Sequence, residues 1–146
     1  MTTPRRAILL VDDNPNDIQL ISLVLGEVAN PHEVVVAEDG EEGLDFLYRR
    51  GRFGSRLPAQ PVLVLLDVKM PKVDGIEVLR TVKKDPNLRE VPVVMLTSSR
   101  EVRDVRTCYE LGANGYVVKP VDFSAFRTAV QKLGDFWTTI NEPPPG

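Results

Sequence analysis

Five short runs rich in Val and Leu recur along this chain, separated by amphipathic stretches, and that alternation limits the fold more than any other feature. The runs are residues 7–11 (AILLV), 33–37 (EVVVA), 62–66 (VLVLL), 91–97 (VPVVMLT) and 115–118 (GYVV). They lack the polar–apolar alternation of a half-solvated strand, so they read as strands covered on both faces. Between the first two, Asn14 is suited to cap a helix and Pro15 to occupy its first position. Ile18, Ile21, Leu25 and Val28 then recur at helical spacing. Further helices are expected over residues 41–50 (burying Leu44, Leu47 and Tyr48), 75–84, 100–111 and 122–137. Strands alternating with helices imply a parallel sheet sandwiched between helices. Right-handed crossovers leave few topologies, and the length suits an α/β, flavodoxin-like doubly wound (βα)5 fold with strand order 2-1-3-4-5.

One domain is expected over residues 7–138, with an N-terminal arm at 1–6 and a C-terminal tail at 139–146. The tail's EPPPG reads as disordered from its composition. With 146 residues, 42% of them hydrophobic, the chain can build a sizeable core. A net charge of −3 gives no general attraction to nucleic acid or anionic lipid. No apolar run approaches the ~20 residues of a membrane span, and residues 1–7 lack a signal-peptide core, so a cytoplasmic protein is expected. Cys108 is the single cysteine and excludes an internal disulfide. It reads as a half-buried filler, and His32, in a turn, receives no role.

The ends of the apolar runs carry the chemistry. Asp12 and Asp13 follow the first, Asp67 the third, Thr97 and Ser98 close the fourth, and Lys119-Pro120 the fifth. In the expected topology these positions share one crevice beyond the carboxyl ends of the strands. Carboxylates packed together repel unless a cation intervenes. A hard divalent ion such as Mg²⁺ suits such carboxylates together with waters and a phosphate. Lys119 adds a point charge for a phosphate oxygen and Thr97 a hydroxyl donor. Such surroundings suit a carboxylate nucleophile, Asp67, that accepts a phosphoryl group.

These motifs resemble the receiver domain of two-component response regulators, over about residues 6–137. LLVDDNP supplies the acidic pair Asp12–Asp13, and LLDVKMPKVDG the acceptor Asp67. VVMLTSS supplies the switch hydroxyl Thr97, and GANGYVVKP the switch aromatic Tyr116 and the active-site Lys119. Thr97 lies 30 residues after Asp67, and Lys119 another 22 on, a spacing similar to that family's. The resemblance implies that Asp13, Asp67 and the Lys69 carbonyl ligate Mg²⁺ directly, with Asp12 acting through water. It also implies a cis Lys119–Pro120 bond, a geometry proline makes tolerable.

By the same resemblance the partner is a sensor histidine kinase, and the output a switched surface of the fourth helix, fifth strand and fifth helix. That surface would signal to a downstream protein or to a phosphotransfer protein. The long basic segment at residues 49–61, expected to be a solvated insertion, and the FWTTINEPPPG tail look like the small regulators that partner bacterial phytochromes. That likeness, with the apolar DFWTTI run, suggests a homodimer. The residues after Asp122 are too few for a DNA-binding output module, so a stand-alone receiver is expected, without direct nucleic-acid or membrane contact. An aspartyl-phosphate phosphatase would need a second acid two residues after Asp67, where Lys69 stands, so the chain does not read as an enzyme beyond its own phosphoryl chemistry. A receiver-like module working without phosphorylation should lack the acid pair, the acceptor or the lysine, and all are present.

Overall fold

In the computed structural model, which describes residues 6–145, the apolar runs become five strands. These are β1 (Ile8–Val11), β2 (Val34–Ala37), β3 (Leu63–Leu66), β4 (Val93–Thr97) and β5 (Gly115–Val118). All pair in parallel, in the order β2-β1-β3-β4-β5, the topology the alternation implies. The fourth strand begins later than its apolar run because Pro92 has no N–H for the ladder; its carbonyl accepts from the Val64 N–H at 2.8 Å.

Five helices connect and follow the strands: α1 (Pro15–Gly26), α2 (Gly40–Tyr48), α3 (Gly75–Lys84), α4 (Val102–Leu111) and α5 (Phe123–Asp135). Four start on a side-chain cap: Asn14, Asp39, Asp74 and Asp122 each accept backbone N–H bonds of the first turn. The second helix stops at Tyr48, short of the expected residue 50, because Arg49 adopts a left-handed conformation (φ 54°). The fifth continues as a π-helical turn over Phe136–Ile140. There the Asn141 N–H reaches the Phe136 carbonyl at 2.7 Å.

Successive strand residues feed two cores. Leu9, Val11, Val64, Leu66, Val93 and Met95 pack beneath α2, α3 and α4 together with Leu47, Val78, Leu79 and Cys108. Ile8, Leu10, Leu63, Leu65, Val94 and Leu96 pack on the other face with Ile21, Leu25, Phe126 and Val130 of α1 and α5. Cys108 is fully buried rather than half-buried, because its helix turns it into the first core. Burial, with Asp104 nearby, pushes its thiol up to about 11, which makes it inert.

The periphery is tied down at two places. The insertion at residues 49–61 is largely exposed, as expected, but is also knitted onto α2. A 3₁₀ turn at Gly51–Phe53 stacks Phe53 edge-on against Phe46, with ring centres 5.2 Å apart. The Arg56 guanidinium lies 4.1 Å over the Phe46 ring and donates to the carbonyls of Phe46, Leu57 and Ala59. The tail, within the described residues, is likewise held. Arg6 forks onto the carbonyls of Gln60, Pro61 and Pro144 at 2.7, 3.3 and 2.8 Å. In both places a guanidinium satisfies main-chain carbonyls that hydropathy does not register.

Candidate functional site

Register brings the strand ends level. Val11 is paired with Leu66, and Thr97 with Val118, so Asp12, Asp67 and Lys119 emerge side by side. The Asp67 N–H bonds the Val11 carbonyl at 3.0 Å, and the Lys119 N–H the Thr97 carbonyl at 2.7 Å. A Cβ on Gly75 would stand 1.8 Å from the Asp67 carbonyl oxygen. Only glycine therefore lets the start of α3 close onto the residue that carries the carboxylate.

Asp12, Asp13 and Asp67 each offer a carboxylate oxygen within 4.8 Å of the others. Asp12 is buried, at 1% exposure, whereas Asp13 is exposed. The Lys119 ammonium sits among carboxylates at 2.7 Å from Asp12 Oδ2, 2.8 Å from Asp17 Oδ2 and 3.2 Å from Asp67 Oδ2. Burial works to lower the lysine's affinity for its proton, but the hydrogen bonds to Asp12 and Asp17 and the nearby negative charge outweigh it, so the net shift is upward and Lys119 is an ammonium. Burial pushes the Asp12 carboxyl above its ordinary range, against the opposing pull of Lys119. Three carboxylates meet the ammonium and Asp13 stands beside two of them, so the four acids and one lysine leave a formal charge of −3. All the donors are oxygens, as a hard divalent cation requires, so the residues present fit Mg²⁺.

Asp67 also lines a cleft of about 450 Å³ with Lys69, Thr97, Ser99, Arg100 and Glu101. The exposed Lys69 ammonium stands 3.8 Å from Glu101, which lines the same cleft. Thr97 is buried, and its Oγ1 accepts the Ser99 N–H at 3.2 Å. Tyr116 does not reach the carboxylates: its ring packs on the first core and its hydroxyl donates to the Ser99 carbonyl at 3.0 Å. Ser99 Oγ in turn bonds Asp104 Oδ2 of α4 at 2.6 Å. Ser99 thus joins Thr97, Tyr116 and α4, a connection the sequence reading did not contain.

Asp17 was also missed. It lies in the first turn of α1, where an acid reads as a partner for the helix dipole. The available signal was its place three residues after the cap Asn14, on the turn that faces the strand ends. The expected cis bond before Pro120 is absent, since no described peptide bond is cis. The trans isomer, intrinsically favoured by about 0.5–1 kcal/mol, already allows both the Lys119 N–H bond to Thr97 and the ammonium's three carboxylate contacts.

A doubly wound sheet with an acidic crevice and one buried lysine at its carboxyl edge defines a small group of α/β proteins, and comparison with known proteins resolves it. The model described as "Response regulator receiver domain" matches residues 8–131, and the chain belongs to that family of signalling proteins. It is 37% identical to response regulator Rcp1 of Synechocystis sp. over 136 residues, 93% of this chain and 91% of Rcp1. The structure of Mn²⁺-bound Rcp1 superposes with a TM-score of 0.90 at 36% identity, covering 97% of this chain and all of the other. The phosphorylated cyanobacterial phytochrome response regulator RcpA gives 0.91 at 37% identity, with the same coverage. The bacteriophytochrome response regulator AtBRR is 53% identical, with a TM-score of 0.73 over 96% of this chain and all of AtBRR. The chain is therefore a receiver-domain response regulator, similar to those of phytochrome systems, and its strand-end motifs lie within the matched region. Among the described residues no helix is long and apolar enough to cross a membrane.

Proposed function

We propose that this response regulator accepts a phosphoryl group on Asp67 from the phosphohistidine of a sensor histidine kinase, in the cytoplasm, and that the kinase is a bacterial phytochrome. The observation that carries the reading is Asp67 at the end of β3, 3.2 Å from an ammonium and grouped with two further carboxylates. The relatives support it: RcpA has been seen phosphorylated and Rcp1 with Mn²⁺ bound. An Asp67 Oδ attacks phosphorus in line, an O–P bond forms as the P–N bond breaks, and the partner's imidazole leaves. Asp13, Asp67 and the Lys69 carbonyl would hold Mg²⁺, with Asp12 acting through water, and the bound ion would neutralise charge on the transferring group. Lys119 supplies the fixed positive charge from this chain.

The new group adds about −1.5 to −2 charge. Thr97 turns its hydroxyl toward a phosphoryl oxygen and so gives up the Ser99 N–H. Because Ser99 also holds the Tyr116 hydroxyl and Asp104, the change passes to β5 and α4 and re-forms the α4–β5–α5 surface for a downstream target or phosphotransfer protein. Moving a two-state surface from 1:99 to 99:1 takes about 5.5 kcal/mol of differential stabilisation. Charge-assisted hydrogen bonds of ~1.5–3 kcal/mol each can supply this. The chain acts as a homodimer through its exposed C-terminal apolar residues.

Incubation with acetyl phosphate followed by intact-mass measurement tests the acceptor. Wild type should gain one phosphoryl mass with Mg²⁺ and none with a chelator, and Asp67→Asn should gain none while remaining folded. An adduct on Asp67→Asn at the wild-type level would overturn the assignment.

A further inference from the structure

We propose that Asp17 is a positioning residue that keeps one N–H donor of the Lys119 ammonium from the incoming phosphoryl group, so that phosphoryl uptake requires the Lys119–Asp17 pair to open. The inference rests on Asp67 being the acceptor. An ammonium has three N–H donors, and all three are engaged, at 2.7 Å with Asp12, 2.8 Å with Asp17 and 3.2 Å with Asp67. None is free for a phosphoryl oxygen. To reach one, Lys119 must release a carboxylate, and the three differ in what release costs.

The Asp12 side chain is 1% exposed, so release would strand a buried charge. Asp67 already holds the longest of the three bonds and is itself the reacting group. Asp17 sits at the rim with its side chain 23% exposed, where water can take the place of the ammonium. Asp17 is therefore the partner that yields. Until it does, it draws Lys119 toward α1 and ties up the donor that the incoming group needs. A second consequence is spatial. Asp17 also lines a groove with Leu20, Val121, Phe123 and Phe126, so whatever occupies that groove lies against the residue that restrains the lysine.

The competing account is that Asp17 serves only the N-terminus of α1 through the helix dipole. That role acts on helix stability and does not depend on Lys119. The test uses the full chain with acetyl phosphate and Mg²⁺, following the rate of phosphoryl incorporation by intact mass. Wild type, Asp17→Asn, Lys119→Gln and the double variant are compared at low salt and at ~1 M salt. Asp17→Asn should incorporate about two- to fivefold faster, the size expected for opening a part-exposed ion pair. The gain should shrink but remain measurable at ~1 M salt, because the contact is a direct hydrogen bond of 2.8 Å and the Debye length there is about 3 Å, and it should vanish in the Lys119→Gln background.

A readout without metal or donor accompanies this. In side-chain NMR the Lys119 ammonium protons should exchange faster in Asp17→Asn than in wild type. A rate equal to or below wild type, a gain lost at high salt, or a gain retained in Lys119→Gln overturns the proposal. If Asp17→Asn does not fold, Asp17→Ser carries the same comparison. Absence of any adduct on wild type would instead overturn the acceptor reading itself.

Discussion

Arg56→Ala should destabilise the protein by about 2–3 kcal/mol, although Arg56 lies in an insertion whose composition reads as solvated. The guanidinium donates to the carbonyls of Phe46 at 2.6 Å, Leu57 at 2.7 Å, Ala59 at 3.1 Å and Leu47 at 3.4 Å, and to Gln60 Oε1 at 3.2 Å. Phe46 and Leu47 lie in the last turn of α2, whose carbonyls lack the usual i+4 partner; the Phe46 carbonyl also accepts the Arg49 N–H at 3.2 Å. The three shortest bonds, at a net ~0.5–1.5 kcal/mol each, set the scale. Stacking on the Phe46 ring adds ~0.5–1 kcal/mol. Because the site is only part-buried, water recovers some of this in the variant, which keeps the total below the simple sum.

Urea unfolding followed by circular dichroism measures the effect. With a denaturant slope of ~1–3 kcal/mol/M for a small protein, the midpoint should fall by roughly 1–2 M. Arg56→Lys keeps the charge but loses the planar fork, and should recover less than half of the loss. A decrease below ~0.5 kcal/mol for Arg56→Ala, the usual size for a surface substitution, would refute the view that the insertion is part of the fold.

Two further outcomes are expected. Tyr48 donates to Asp85 Oδ2 at 2.7 Å, which holds the Asp85 carboxyl below its ordinary range, with help from the Asn87 N–H. A depressed carboxyl stabilises the fold above the unfolded pKa of 3.8, and this contribution is lost as pH falls through the folded value. The stability gap between wild type and Tyr48→Phe should therefore be flat from pH ~5 to ~8 and should close below ~4, as read by urea midpoints; a gap unchanged at low pH refutes the link. Removal of residues 139–146 should raise the monomer fraction in sedimentation at matched concentration, because Ile140 is 71% exposed. Burying such a side chain is worth ~1.5–3 kcal/mol per copy, so the dissociation constant should rise at least about tenfold; an unchanged monomer fraction removes the tail from the interface.

The sheet order and the carboxylate group were legible because both follow from hydropathy. A parallel strand covered on both faces must be apolar along its whole length, so a polar residue that interrupts the pattern marks a strand end, and strand ends in this topology converge. Asp12, Asp67, Thr97 and Lys119 announced themselves in that way. Asp17 did not, because an acid in the first turn of a helix has a sufficient local reason to be there. Its contact with Lys119, 102 residues away, depends on how α1 is rotated about its axis, which its apolar stripe defines only coarsely. Arg56 and Arg6 were illegible for a different reason. Their partners are backbone carbonyls, which every residue carries, so no pattern of side chains signals the contact. The trans Lys119–Pro120 bond was illegible as well, because both isomers are open to proline and the residue types do not distinguish them. The acidic crevice could thus be read from four strand ends, whereas the restraint on its lysine follows only from the orientation of a helix.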